Sequence, residues 1–287
     1  MKKICPNKSC QSEHILKDGT FKRACDSRRI QRYRCGSCNK RFSASTGTLE
    51  YRQVRRRINY PFFKLYASGC SQRRAAKNLN VSRTTIANRV KYLGEKCRLK
   101  QKRFLKKLKV ENIQFDDLIT SHHTKLKPVT IPIAVEAGTR VILAGEVAPI
   151  PAFGRLAKTS IKKYGKRKCE HQKALNKVFE TLKTFTPMSI VSDEHSKYER
   201  TVKRFFPKVP YAQFKSKRAR IAGQGEMKKG GFDPLFSINH TLAMLRANIN
   251  RLLRQTWNTT KNLERLKDHL DIYIWYHNSQ LVGQNSS

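Results

Sequence analysis

The sequence predicts an α/β protein in which a mixed-sheet domain follows two small N-terminal modules. Two cysteine pairs near the start have the spacing of a metal-binding module. The pattern of residues 58–93 predicts short helices separated by turn residues. In residues 110–214, strand-like runs alternate with helical segments. With 287 residues, of which 38% are hydrophobic, the chain is long enough for one large domain and one or two small ones.

Charge gives the first indication of a partner. The chain carries 61 Lys and Arg against 20 Asp and Glu, a formal net charge of +41. Such an excess favours a polyanion, usually nucleic acid, with a membrane surface as the weaker alternative. No run of 18 apolar residues is present, and residues 1–6 lack the apolar core of a signal peptide. The protein is therefore expected to stay in the reducing cytoplasm, away from membranes.

The first module, residues 1–50, is predicted to be a zinc ribbon. Cys5 and Cys10 form one pair, and Cys35 and Cys38 form the second after a hairpin-sized insert. Four thiolates on two short turns suit tetrahedral Zn²⁺, and so short and polar a segment has little other means of folding. The metal is predicted to be structural, with Cys25 outside the site. The alternative is a pair of metal-free turns.

Residues 51–98 are predicted to form a helix-turn-helix DNA-binding domain. Ser71 and Ser82 stand at N-cap positions before the second and third helices. In a major groove, the third helix would present five side chains to bases and phosphates: Arg83, Thr84, Thr85, Asn88 and Arg89. A three-helix bundle with a solvated polar face is the alternative. Residues 99–110 follow as a basic linker or linker helix.

The remaining residues, 111–287, are predicted to form the mixed-sheet domain. Three strand-like runs come first, with Gly138 in the turn between the second and third. A helix, a short strand ending at Asp193, another helix and a fifth strand follow. The predicted strands are 110–119, 129–135, 141–147, 187–193 and 209–214, and the helices are 173–185 and 197–206. This is the order of the ribonuclease H-like fold, in which the first and fourth strands are neighbours.

Acidic residues in these strands suggest a site. Asp116 and Asp117 lie within the apolar run 113–119, and Asp193 ends the fourth strand. Burying an unpaired carboxylate costs several kcal/mol, so an acid in a strand usually has a cation or a metal as its partner. Because the two strands are expected to be neighbours, Asp116 and Asp193 are predicted to share a metal. The alternative is that one of the adjacent pair binds a neighbouring Lys or Arg.

In these segments the sequence resembles insertion-sequence transposases of the DDE type that carry a zinc ribbon, a helix-turn-helix and a ribonuclease H-like catalytic domain. The resemblance rests on the four cysteines, Phe115-Asp116-Asp117, residues 190–193, and residues 238–246 with 249–256. It implies cleavage at transposon ends and joining of the freed 3′ hydroxyl to target DNA, using two Mg²⁺ or Mn²⁺ ions. It also implies a bacterial, nucleoid-associated protein that acts on double-stranded DNA as a homodimer or higher homo-oligomer.

The third metal ligand departs from the family pattern. The family has Glu on a C-terminal helix with Lys or Arg seven residues later, whereas this chain has Asn239 and Arg246. The resemblance therefore assigns the ions to Asp116, Asp193 and Asn239, and assigns Arg246 to the end DNA or the scissile phosphate. Asp117 stays an alternative for the first ligand and Glu226 for the third, and Asn239 could instead cap its helix.

The expected function is therefore metal-dependent DNA transposition, in which the two N-terminal modules read the terminal inverted repeats. Two other functions stay open. One is a non-catalytic DNA-binding regulator, a decayed or domesticated transposase in which Asn239 marks lost activity. The other is a structure-specific nuclease of the same fold, which would cut DNA without joining it.

Overall fold

The computed structural model describes residues 3–215, 233–253 and 258–282. It contains a small N-terminal sheet, a helical region and a larger mixed sheet with helices on both faces. Glu226, the alternative third ligand, lies outside the described residues. Within the described ranges, no helix combines the length and the apolar character that crossing a membrane requires.

The N-terminal module is a three-stranded antiparallel sheet with almost no apolar core. Its strands are β1 (Ile15–Lys22), β2 (Arg29–Cys35) and β3 (Arg41–Ser43), paired in that order. Tyr33 and Phe42 stack across β2 and β3 with ring centroids 5.6 Å apart. Within residues 3–50, only Cys5 and Cys35 are buried. Hydrophobic burial is therefore too small to hold this module together by itself.

The helical region contains α1 (Asn59–Ala67), α2 (Gln72–Asn78) and α3 (Arg83–Leu105). Ser71 and Ser82 are the N-caps of α2 and α3, as predicted: their side chains accept N–H groups three residues on, at 3.3 Å and 3.1 Å. Gly69, between α1 and α2, has a φ of +81°, which a residue without Cβ adopts easily.

Helix α3 continues well past the expected end of the helix-turn-helix and takes up most of the segment predicted as a basic linker. Its second half packs along α8 (Leu263–Tyr276), with Cys97 and Ile272 in a shared core. Gly94 permits this approach, because a Cβ there would lie 2.6 Å from Asp268. The helical region is therefore joined to the C-terminal helix by packing, without a flexible connection at residue 99.

The larger sheet has six strands in the order β6-β5-β4-β8-β9, with β7 also beside β5. Strand β4 is antiparallel to β5 and parallel to β8, and β8 is parallel to β9. The strands are β4 (Asn112–His122), β5 (Thr124–Glu136), β6 (Ile142–Gly145), β7 (Ala148–Pro149), β8 (Ser189–Asp193) and β9 (Tyr211–Phe214). The predicted strands and the hairpin turn at Gly138 are confirmed, while β7 and the short helix α4 (Ala157–Tyr164) were not predicted.

Helices cover both faces of this sheet. Helices α5 (His171–Leu182) and α6 (Tyr198–Phe205) pack on the face that contains Phe115. Helices α7 (Phe236–Asn248) and α8 pack on the face that contains Leu118. Because side chains alternate along a strand, Asp116 is directed to the α7 face and Asp117 to the α5 face.

Candidate functional site

Asp116 and Asp193 come from neighbouring parallel strands. β4 and β8 are paired as far as Phe115 and Ser192, and each acid is the next residue of its strand. Residues in register on parallel neighbours point to the same face. The structure thus brings the two acids together on the α7 face, at the carboxyl end of β8.

The environment of Asp116 disfavours its charge. Burial raises the pKa of its carboxyl to about 7, and the negative charges of Asp117 and Asp193 add to this increase. The Asp117 N–H, which donates to Oδ1 of Asp116 at 2.6 Å, lowers that pKa, as does the positive charge of Arg246. A buried carboxylate beside a second acid is more stable when a cation is bound nearby.

Helix α7, which contains Asn239, packs on the same face, and the charge of its Arg246 acts on Asp116. Gln114, two residues before Asp116, fixes the start of this helix: its side chain donates to the Pro234 carbonyl at 2.9 Å and accepts the Ile238 N–H at 3.0 Å. Helix α7 has Leu235 at its N-cap position, so Asn239 lies inside the helix and does not cap it.

Asp233 is a further acid at this end of α7, and no sequence pattern pointed to it. The Asn239 amide nitrogen donates to Oδ2 of Asp233 at 2.9 Å. Oδ1 of Asp233 accepts the Leu235 N–H at 3.0 Å. Because its nitrogen is engaged in this way, the Asn239 amide has its oxygen left as a possible metal ligand.

Among the residues that the structure describes, the two acids are not joined by a third charged metal ligand. Within the described ranges, Asp116 and Asp193 belong to no group of three or more His, Cys, Asp or Glu whose ligand atoms all lie within 4.8 Å of one another. In this arrangement, a third protein ligand would be an amide such as Asn239 or a residue outside those ranges such as Glu226. The geometry therefore keeps both alternatives for the third ligand.

Asp117 faces away from this pair and has partners of its own. Its carboxylate is 2.5 Å from Nε2 of His171 and accepts hydrogen bonds from Tyr198 at 2.8 Å and Thr130 at 3.0 Å. The His195 ring stacks on Tyr198, with centroids 4.6 Å apart. Asp117 is therefore held by histidine, tyrosine and threonine, and the expectation of a Lys or Arg partner is wrong for this acid.

These partners could not be found from the sequence pattern. His171 and Tyr198 each stand at the start of a helix, far from Asp117 along the chain, and no motif connects them. The available signal was the alternation of strand residues: if Asp116 faces one layer of helices, Asp117 needs a partner in the other.

The four cysteines at the N-terminus form a compact cluster. Their Sγ atoms all lie within 4.8 Å of one another, and the Cys5–Cys38 and Cys10–Cys35 pairs are 3.5 Å and 3.8 Å apart. Among the described residues, this is the one group of three or more His, Cys, Asp or Glu close enough to share an ion. The arrangement is compatible with structural zinc.

Backbone hydrogen bonds reach all four sulfurs, but burial still raises the pKa of the Cys5 thiol to about 12. Each accepts an N–H group from the residue two positions later: Asn7, Ser12, Ser37 and Lys40. For Cys35, hydrogen bonding from the Cys38 N–H is the largest influence and lowers the pKa of the thiol to about 6. Donors aimed at sulfur stabilise thiolates, the form in which cysteine binds metal.

Four of the five predicted DNA-contact residues are accessible on α3. Arg83, Thr84 and Asn88 are exposed and Thr85 is half-buried. Arg89 is an exception: it is only 7% exposed, so the prediction that it points outward is wrong. It follows the buried Ile86 by three residues, and residues three apart share a helix face.

Comparison with known proteins adds no relative to this description. No protein-family model matches the chain, and no curated protein matches its sequence significantly. The function is therefore inferred from the residues and the geometry described above.

Proposed function

We propose that this chain is a DNA transposase that cleaves transposon ends and joins them to target DNA. The observation that carries the proposal is the juxtaposition of Asp116 and Asp193, with the charge of Asp116 disfavoured by burial. The strand order β6-β5-β4-β8-β9, with β4 and β8 parallel, supports a ribonuclease H-like arrangement. The excess of 61 Lys and Arg over 20 Asp and Glu supports DNA as the substrate.

Asp116, Asp193 and the Asn239 amide oxygen are the residues that would hold two Mg²⁺ or Mn²⁺ ions. Carboxylate and amide oxygens are ligands that these hard cations prefer. When bound, such ions activate the attacking oxygen and stabilise the leaving 3′ oxygen of a phosphodiester. Arg246, whose charge already acts on Asp116, would bind the phosphate undergoing reaction and offset its negative charge.

The N-terminal modules would bring the transposon ends to these acids. The accessible residues of α3 would contact bases and phosphates of the terminal repeats: Arg83, Thr84, Thr85 and Asn88. Because α3 packs on α8, a DNA end held by α3 would have a fixed relation to the catalytic sheet. Two DNA ends require a homodimer or higher homo-oligomer, and we place this activity at the nucleoid of a bacterial cell.

Removal of zinc is expected to unfold the N-terminal module and to weaken DNA binding. In this module, Cys35→Ser or Cys38→Ser should abolish binding of one Zn²⁺ per chain and make residues 3–50 sensitive to protease. The physical reason is that metal binding replaces the missing core, and its free energy of about 10–16 kcal/mol is available for folding. Metal analysis and limited proteolysis measure both effects.

Cys25 provides the matched control for the zinc ligands. Its thiol lies outside the cluster, near the Gln53 carbonyl at 3.9 Å. Cys25→Ser should keep the metal and the protease resistance of the wild-type protein. Full zinc content in Cys35→Ser would contradict the assignment of this site.

The experiment that tests the proposed function is a strand-transfer assay. A labelled duplex that contains the inverted repeat flanking the coding region is incubated with the protein, plasmid and Mg²⁺ or Mn²⁺. A transposase gives labelled joints between the duplex end and the plasmid, and EDTA prevents their formation. Metal-dependent nicks without joints indicate a nuclease, and DNA binding without either product indicates a regulator.

A further inference from the structure

A basic groove runs between the segment before α1 and the start of α3. It has a volume of about 830 Å³. Its lining includes no Asp or Glu from the described part of the chain, and it includes six cations: Arg52, Arg55, Arg73, Lys77, Arg83 and Arg89. Arg55 donates to the Asn80 carbonyl at 2.8 Å and so connects the two walls.

Arg89 lies at the groove with an incomplete set of partners. The residue is 7% exposed, and its Nε is buried without a hydrogen-bond partner among the described residues. The negative charge of Glu50 acts on Arg89. The Glu50 carboxylate, however, is already bound to Arg56 at 3.2 Å and to Lys96 at 2.8 Å. A buried guanidinium donor left unsatisfied in this way is costly unless a ligand supplies an acceptor.

The groove also receives the N-terminus of a long helix. Ser82 and Arg83, at the start of the 23-residue helix α3, line it, and the first turn of that helix contains no acid. Unsatisfied N–H groups and the helix dipole favour an anion at this position. The six cations, the N-terminus of α3 and the buried guanidinium of Arg89 therefore all favour an anionic ligand.

We infer that this groove binds the phosphodiester backbone of DNA and that Arg89 is a phosphate ligand, not a base reader. The inference rests on the proposed function and sharpens it: Thr84, which does not line the groove, contacts base edges, while the groove fixes the register of α3 on the duplex. Arg89 gains its missing acceptor only when a phosphate oxygen enters the groove.

The test measures how DNA affinity depends on salt. Phosphate contacts are independent of sequence, so the probe is a fluorescein-labelled 30-base-pair duplex of arbitrary sequence, titrated between 50 and 300 mM NaCl with full-length protein. Log K falls linearly with log salt, and the magnitude of this slope, called the slope below, is expected to decrease by about 0.9 for each lost contact. Arg73→Ala combined with Lys77→Ala should therefore lower it by about 1.8.

The matched control is Arg74→Ala combined with Lys64→Ala, two exposed cations that do not line the groove. This pair should lower the slope by clearly less than the groove pair, and an equal effect would overturn the inference. Arg89→Gln should lower the slope by about 0.9, whereas Arg89→Lys, which keeps the charge, should restore it. An unchanged slope in a folded Arg89→Gln protein would also overturn it.

The two proposals fail in different ways. If the wild-type protein does not bind the duplex even at 50 mM NaCl, the proposed DNA function fails together with the groove. If the wild type binds and the groove variants resemble the control variants, only the inference about the groove fails.

Discussion

Asp116→Asn and Asp193→Asn are each expected to lower the rate of strand transfer by about 1,000-fold or more, with DNA affinity unchanged. Each substitution removes one of two juxtaposed carboxylates, and metal stabilisation of a phosphoryl transition state is worth several kcal/mol. About 1.4 kcal/mol corresponds to a factor of ten in rate. Quantitative strand-transfer assays and duplex binding at fixed salt measure the two quantities.

The loss of joining in Asp116→Asn should not result from unfolding, and the pH dependence of its stability provides the control. Because the pKa of Asp116 is raised from 3.8 to about 7, its contribution to stability is present at low pH and lost as the pH rises through about 7. Asn cannot ionise. The free energy of unfolding of metal-free Asp116→Asn should therefore equal that of the wild type near pH 4. At pH 8 it should be higher than that of the wild type by about 2–4 kcal/mol. A joining-competent Asp116→Asn protein would refute the assignment.

The strand-transfer assay also identifies the third metal ligand. If the Asn239 oxygen binds an ion, Asn239→Ala should lose joining while Asn239→Asp keeps it, because a carboxylate is a stronger ligand for Mg²⁺. Glu226→Gln should then remain active. Activity in Asn239→Ala together with an inactive Glu226→Gln would transfer the role to Glu226.

His171→Ala is expected to lower the free energy of unfolding by about 3–5 kcal/mol, the usual cost of removing one partner of a buried pair. His171 and Asp117 have side-chain exposures of only 8% and 13%, so the remaining carboxylate would be left largely without solvent. Tyr198→Phe removes one hydrogen bond to the same carboxylate and should cost about 1.5–3 kcal/mol. Urea denaturation measures both losses.

His195→Ala serves as the control for this network. His195 is exposed, its ring stacks on Tyr198, and its Nδ1 accepts the Lys197 N–H at 3.2 Å. Because this side chain is exposed and does not contact Asp117, its removal should change the free energy of unfolding by less than about 1 kcal/mol. Asp117→Asn should be less stable but, in its folded fraction, should still join DNA. If Asp117→Asn folds normally and fails to join, Asp117 is the metal ligand and the assignment to Asp116 is wrong.

Local signals in the sequence were sufficient for most elements of the fold, with β7 and α4 as the exceptions. The N-caps at Ser71 and Ser82, the turn at Gly138 and the alternation of apolar residues in β4 each depend on a few neighbouring residues, so the sequence alone reveals them. The close cysteine pairs are recognisable for the same reason. Element ends were less certain, because α3 is extended by packing against α8 that no local signal records.

Side-chain partners depended on contacts between distant segments. The sequence pattern placed Arg89 on the outer face of α3, but packing around Ile86 buries it, and this makes it a candidate phosphate ligand. His171, Tyr198 and Asp233 carry no recognisable motif, and each reaches its partner only when the helices dock on the sheet.

The sequence by itself determined that the chain has an α/β architecture, a cysteine cluster, and acids in two strands expected to be neighbours. Tertiary structure decided which acid faces which layer: Asp116 shares the α7 face with Asp193, while Asp117 is bound by His171. The reason is physical. Along a strand, adjacent side chains point to opposite faces of the sheet. Only the docking of helices on both faces supplies the partners that each of these side chains contacts.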